Sequence, residues 1–296
     1  MNQRQQDINL STFAGQGVST QINYVRVSDT VSIRCIEFTP QATDYPTVLF
    51  IPGWISLLNS WRYFLPKVTT ELHLIFMETR EKSSSRVDGK ASFSVDDISG
   101  DISKVIDHFK LKNNEYILAG SSLGATAILN SYPNLSSTPM GMVLILPNSS
   151  FYLPTYTPIL KIVPPFLLPI MRWVAKWIML KTKINPNDIE HQDRFLAAIN
   201  SANATRLRDS ALAVYAFELN LEKLEQIQIP CLVIGASKDG EHDQDDIREI
   251  VSRLPFAEYL DLVTFTATHS RRGAEALLSF VKQLYAEEKI KSCQNI

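Results

Sequence analysis

Residues Gly120-Ser121-Ser122-Leu123-Gly124 stand directly behind the apolar run Tyr116-Ile117-Leu118-Ala119 and ahead of an Ala- and Leu-containing stretch with helical character. Small residues two places either side of a serine let the chain reverse sharply. A strained turn between strand and helix pushes the hydroxyl of Ser122 out at the sheet edge, while strand and helix pack closely beneath it. The pattern names a candidate nucleophile and a layered α/β fold together. On its own a five-residue motif is a weak signal; its place between strand and helix is what gives it weight.

The rest of the chain agrees with that layering. Ile22–Val27 and Val31–Phe38 alternate apolar and polar residues on either side of Asp29-Thr30, which predicts a hairpin of half-buried strands. Thr47–Ile51 is a short apolar run ending at Pro52-Gly53 and reads as a fully buried strand. Residues 57–72 read as helix, then Leu74–Met77 as strand. Helix is expected over 95–109, strand over 116–119, helix over 122–131 and strand over 141–146. After a long interval, strand is expected over 229–234, helix over 245–254, strand over 259–263 and helix over 272–287. Continuous apolar strands separated by helices predict a parallel sheet covered on both faces. Between Leu146 and Ile229 the alternation stops, and the intervening residues, including 185–224, read as helix only. Such an excursion from a strand end covers the carboxyl edge of a sheet.

Composition limits the function classes. A chain of 296 residues that is 45% hydrophobic and 20% charged is an ordinary globular composition. Its net charge of -2, with scattered Lys and Arg, gives no field for nucleic acid. Cys35 and Cys231 lie in apolar runs and Cys293 in a polar tail, without a C-x-x-C pair. That spacing predicts buried thiols in a reducing compartment and no metal site. Residues 1–7 are polar and carry no apolar leader core, so a cytoplasmic location is expected. Residues 158–180 are strongly apolar but are broken by Lys161, Arg172, Lys176 and three prolines. They predict amphipathic helices, with Trp173 and Trp177 one turn apart, and no spanning helix. A membrane-surface contact through these two tryptophans is compatible with the pattern.

A serine hydroxyl needs a base, and the base needs an orienting carboxylate. Of the five histidines, His73, His108 and His191 sit in strand, helix and charged-segment contexts that predict structural roles. His269 lies in Thr266-Ala267-Thr268-His269-Ser270, a loop between the last strand and last helix at the same sheet edge as Ser122. It is the preferred base, with His242 as competitor in a charged loop after another strand. Asp239 leaves the strand 229–234 through small residues and is the preferred carboxylate over Asp243, Asp245 and Asp246. The chain order is then Ser122, Asp239, His269. The oxyanion of a tetrahedral intermediate needs two fixed donors. The Leu123 N–H at a helix start and the Trp54 N–H in Pro52-Gly53-Trp54 are the candidates.

Together these residues resemble the α/β-hydrolase superfamily over nearly the whole chain. Pro52-Gly53-Trp54 is similar to its His-Gly turn, Gly120 to Gly124 to its nucleophile elbow, Pro230 to Asp239 to its acid-bearing strand and loop, and His269 to its base. The resemblance implies an eight-stranded, mostly parallel sheet with helices on both faces and a helical cap inserted after the sixth strand. The core would be 1–150 and 216–296, and the cap 151–215. Pro52 stands where the family has His. Glu78–Ser85 lacks the family's glycines, and Asp239 lies one residue later than the usual spacing. A Ser nucleophile separates the chain from branches that attack carbon through a carboxylate.

The expected activity is hydrolysis of a carboxylic ester, thioester or lactone of a small, apolar substrate, without cofactor or metal. Two alternatives stay open: a fold of this type that binds a ligand or partner without turnover, and C–C hydrolysis or acyl transfer on the same residues.

Overall fold

A computed structural model describes residues 9–182, 184 and 186–294. The polar segment 1–7, read above for targeting, lies outside them, as does position 185. The strands are β1 (Ser19–Arg26), β2 (Val31–Thr39), β3 (Thr47–Ile51), β4 (Leu74–Glu78), β5 (Arg86–Val87), β6 (Tyr116–Ser121), β7 (Gly141–Ile145), β8 (Cys231–Gly235) and β9 (Ala257–Asp261). The helices are α1 (Leu65–Thr69), α2 (Val95–Phe109), α3 (Leu123–Ser131), α4 (Leu168–Thr182), α5 (Ile189–Ser201), α6 (Ala204–Tyr215), α7 (Gln244–Arg253), α8 (Phe265–Thr268) and α9 (Arg271–Gln294).

The sheet runs β1-β2-β4-β3-β6-β7-β8-β9, with β5 paired to β2. β1 and β2 form the antiparallel hairpin, β2 meets β4 antiparallel, and every pair from β4 to β9 is parallel. The sheet thus has nine strands where eight were expected. The ninth is the two-residue β5, too short to leave a periodic signal. Residues 57–72 are not one helix. A 3-10 turn at Leu58–Trp61 precedes the five-residue α1, and Pro66, in the first turn of α1, starts it afresh.

Strands β3, β4, β6, β7 and β8 are buried along almost their whole length, which is why their sequences are continuous apolar runs. β9 closes the edge and is partly exposed. Phe50 anchors an aromatic cluster under one face, in edge contact with Trp61 at 4.5 Å and stacked on Phe76 at 5.6 Å. Register aligns the strand ends: Ile51 lies beside Gly120, Ser121 beside Ile145, and Ile145 beside Ile234. The loops after β3, β6, β7 and β8 therefore leave the sheet at one level.

Between β7 and β8 the chain forms α4, α5 and α6, joined to that same edge by polar contacts. Trp54 Nε1 donates to Ser210 Oγ at 2.9 Å, and Arg206 donates to the carbonyls of Lys82 and Ser85 at 2.7 and 2.9 Å. No helix among the described residues is long and apolar enough to cross a membrane. Cys35 and Cys231 are buried free thiols, and Cys293 is exposed.

Candidate active site

The turn after β6 forms because two glycines permit backbone contact. A Cβ on Gly124 would stand 2.1 Å from the Ile51 carbonyl oxygen, and one on Gly120 would stand 2.9 Å from the Ala125 nitrogen. Ser122 itself takes φ 49 and ψ −119, a conformation that L residues rarely adopt. Its N–H is held by the Ile145 carbonyl at 2.8 Å, and its own carbonyl accepts from Thr126 N–H at 3.0 Å, the first bond of α3. The strain is thus fixed from both sides and presents Oγ above the sheet edge.

His242 receives that hydroxyl. His242 Nε2 lies 3.0 Å from Ser122 Oγ, and His242 Nδ1 lies 2.5 Å from Asp239 Oδ2. With Nδ1–H donating to the carboxylate, Nε2 is left to accept from the serine. Asp239 and His242 both come from the loop after β8. The Asp239 side chain accepts from the Glu241 N–H at 3.0 Å, and Asp239 N–H donates to the Ala236 carbonyl at 2.9 Å. These bonds curl Asp239-Gly240-Glu241-His242 into a turn that folds the imidazole back over its own carboxylate.

His269, the base expected from the sequence, is not the histidine that meets Ser122. It caps α8, and its ring is stacked between Trp61 at 4.2 Å and Phe265 at 4.4 Å. Its Nδ1 lies 2.9 Å from Thr268 Oγ1 and 3.3 Å from the Phe265 carbonyl. The short helix α8 turns the side chain into this aromatic stack, while the loop after β8 delivers its own imidazole. The signal for that in the sequence is the three-residue spacing from Asp239 to His242 across Gly240. Of the rival carboxylates, Asp243 caps α7, Asp245 pairs with exposed Arg248, and Asp246 holds the Ser149 N–H at 2.7 Å.

The two imidazoles have opposite electrostatics. Burial works to lower the His242 pKa. The hydrogen bond and charge of Asp239, aided by Glu241 and Asp246, outweigh it and hold His242 above the ordinary 6.5. Burial also opposes ionisation of Asp239, but the bond and charge of His242 and the Glu241 N–H keep this carboxyl below its ordinary range. His269 is held well below 6.5 by burial and then by the Arg194 charge. His191 stacks on Phe265 at 4.0 Å, and its Nε2 lies 3.5 Å from Glu241 Oε1. His73 meets Thr47 Oγ1 at 3.0 Å, and His108 lies against Phe109.

Two further residues of the site escaped the sequence reading. Asn148, buried in the loop after β7, donates from Nδ2 to Ser122 Oγ at 3.3 Å, and its backbone is clamped to Thr126. Lys82 is buried in the 78–85 loop, donates to the Gly53 carbonyl at 3.1 Å and pairs with Glu81 at 2.9 Å. This holds the turn after β3 against the elbow: a Cβ on Gly53 would lie 3.2 Å from Ser122 Cβ. The same loop is anchored by Arg80, which grips Asp101 at 2.6 and 2.8 Å. Trp54 follows Gly53 in that turn. Leu123 is the first residue of α3, where an N–H has no intrahelical acceptor.

Above these groups lies a mostly apolar cavity of about 690 Å³. Ser122 and His242 form its floor, and Leu160, Met171, Ile178 and Phe195 are among the residues of its walls.

A strained serine behind a buried parallel strand, with an imidazole and a carboxylate in series, defines an α/β-fold hydrolase. The chain belongs to the α/β-hydrolase superfamily: residues 86–262 match the Hydrolase_4 family, described as serine aminopeptidase, S33. No curated protein sequence matches the chain. Among solved structures it is similar to a hydrolase from Pseudomonas aeruginosa (17% identity, TM-score 0.73, covering 88% of this chain and 98% of that one). It is also similar to a thermophilic esterase from Thermogutta terrifontis (14%, TM-score 0.72, 90% and 98%). A third is an esterase from Exiguobacterium antarcticum (16%, TM-score 0.71, 88% and 100%). At these identities the likeness is one of fold.

Proposed function

We propose that the protein hydrolyses a carboxylic ester, or a related thioester or lactone, of a small apolar substrate through an acyl-enzyme on Ser122. The observation that carries this reading is the unbroken series from Ser122 Oγ to His242 Nε2, and from His242 Nδ1 to Asp239. Ser122 attacks the substrate carbonyl as His242 takes its proton. Asp239 fixes the imidazole tautomer and stabilises the imidazolium. The Leu123 and Trp54 N–H groups receive the oxyanion; one such donor is worth about 3 kcal/mol to a transition state. The tetrahedral intermediate collapses, its C–O bond breaks, and His242 returns the proton to the departing alcohol. Water then attacks the acyl carbon with His242 again as base, which frees the acid and restores Ser122. Residues 151–215 act as a cap over a core of 1–150 and 216–296, and the cap's apolar wall selects an apolar group.

Labelling with a fluorophosphonate probe tests the reading. One adduct is expected, on Ser122, absent from Ser122→Ala protein, which also loses hydrolysis of a panel of p-nitrophenyl esters of varied chain length. An unlabelled Ser122 in folded protein would favour binding without turnover instead.

The pH profile separates the two histidines. A base must be neutral, so kcat/KM falls as pH drops through the base's pKa. With His242 as base, the acid limb is expected above pH 6.5 and moves down in Asp239→Asn, which loses the group that raises it. A limb well below 6.5, insensitive to Asp239→Asn, is the result His269 would give.

A further inference from the structure

Helix α4 is apolar on two sides. Met171, Val174 and Ile178 line the cavity, which gives an apolar side there a clear reason. The other side has no such reason among the described residues. Ile170, Trp173 and Trp177 follow helical i, i+3, i+7 spacing and are all exposed, Trp173 at 62%, while Val174 stands at the border between the two sides. In the turns that precede α4, Ile162 is 82% and Phe166 76% exposed as well. A surface helix of a water-facing protein shows the reverse, with polar residues outward. A contiguous apolar face of this kind marks a surface that something covers.

Charge says what covers it. Residues 151–187 contain five Lys and Arg (Lys161, Arg172, Lys176, Lys181 and Lys183) and no Asp or Glu, in a chain whose net charge is -2. Lys161 and Lys181 are exposed at the two ends of this apolar segment. Tryptophan, phenylalanine and isoleucine flanked by lysine, on a helix too short and too interrupted to span, are the features of a segment that lies in the headgroup region of a bilayer. Its positive charge complements an anionic leaflet. The cavity opens beside this face, since Tyr152, Tyr156 and Val174 both line it and are exposed.

We infer that the face formed by residues 159–181 docks this protein onto the surface of an anionic lipid bilayer, with the cavity mouth at the bilayer. This concerns where the protein sits, and it does not depend on the ester chemistry proposed above.

Sedimentation with vesicles of phosphatidylcholine, alone or mixed with phosphatidylserine, tests it on the full chain. Wild type and Ser122→Ala are both expected to sediment with the mixed vesicles, less so as salt is raised, with a blue shift in tryptophan emission. Ile170→Ser/Trp173→Ser/Trp177→Ser is expected to lower binding by about tenfold or more. Lys161→Gln/Lys181→Gln is expected to lower binding to mixed vesicles by about fivefold for each charge removed. None of these five residues lines the cavity or touches Ser122. Circular dichroism and turnover of a water-soluble short-chain ester, where wild type shows it, should stay at the wild-type level in both variants. Failure to sediment with mixed vesicles, or equal binding to both vesicle types, would overturn the inference. So would a dimer in ultracentrifugation that the serine variant dissolves without any vesicle binding, which would assign the face to a second copy of the chain.

Discussion

His242→Ala is expected to lower kcat for an ester substrate by about 10⁴-fold or more, and His269→Phe to leave most turnover in place. The variant removes the imidazole that stands 3.0 Å from the Ser122 hydroxyl and would take its proton. Loss of the serine or the histidine of such a series costs about as much as loss of the whole. The remaining rate comes from the oxyanion donors and from binding. His269 is stacked between Trp61 and Phe265, so a phenyl ring keeps the aromatic contacts and gives up only the bonds of Nδ1. Both variants should keep the wild-type far-UV spectrum, and the measurement is single-turnover acylation under matched conditions. The reverse pattern, with His269→Phe inactive and His242→Ala active, would return the base to the loop after β9.

That contrast also marks how far the sequence could be read. The parallel sheet was legible because buried strands such as Leu74–Glu78 and Gly141–Ile145 are continuous apolar runs, and α2 because Ile98, Ile102, Val105 and Ile106 recur at helical spacing. The sharp turn at Ser122 was legible because the elbow is a local device whose small residues lie within five positions. The place of Asp239 at the same sheet edge was legible because it follows a buried strand closely. The choice between His242 and His269 was not local. Both follow strands that end at the same edge, and the outcome depends on rotations set by a turn at Asp239 and a stack on Trp61 that no periodicity records. Asn148 and Lys82 were hidden for the same reason. One needs the clamp to Thr126, 22 residues away, and the other a carbonyl 29 residues back in the chain. Of the apolar run 158–180, helix was legible in the part that forms α4, but the earlier part is two 3-10 turns set by its prolines, and which side of α4 would face outward left no signal.

Gly124→Ala is expected to cost more stability than a methyl group usually does, and to lower activity with it. The new Cβ would stand 2.1 Å from the Ile51 carbonyl oxygen, 2.7 Å from its carbon and 2.8 Å from the Pro52 oxygen. All three are backbone atoms of β3 and the turn that follows, so no side chain can swing aside to make room. Relief requires α3 to move about 1 Å away from that turn. This opens the contact between the elbow and the Trp54 segment, where a displacement of that size costs about 10²-fold in rate. Forced overpacking of this kind costs about 3 kcal/mol. Gly100→Ala supplies the control. Gly100 lies inside α2 with nothing near its Cβ position, so the same added methyl there should stabilise by up to about 1 kcal/mol. Urea unfolding of the two variants should therefore shift in opposite directions from the same wild-type midpoint, and only Gly124→Ala should lose kcat. A Gly124→Ala protein with wild-type midpoint and rate would mean that helix and strand can separate without disturbing the serine, and the close approach at the elbow would then have no part in holding the site.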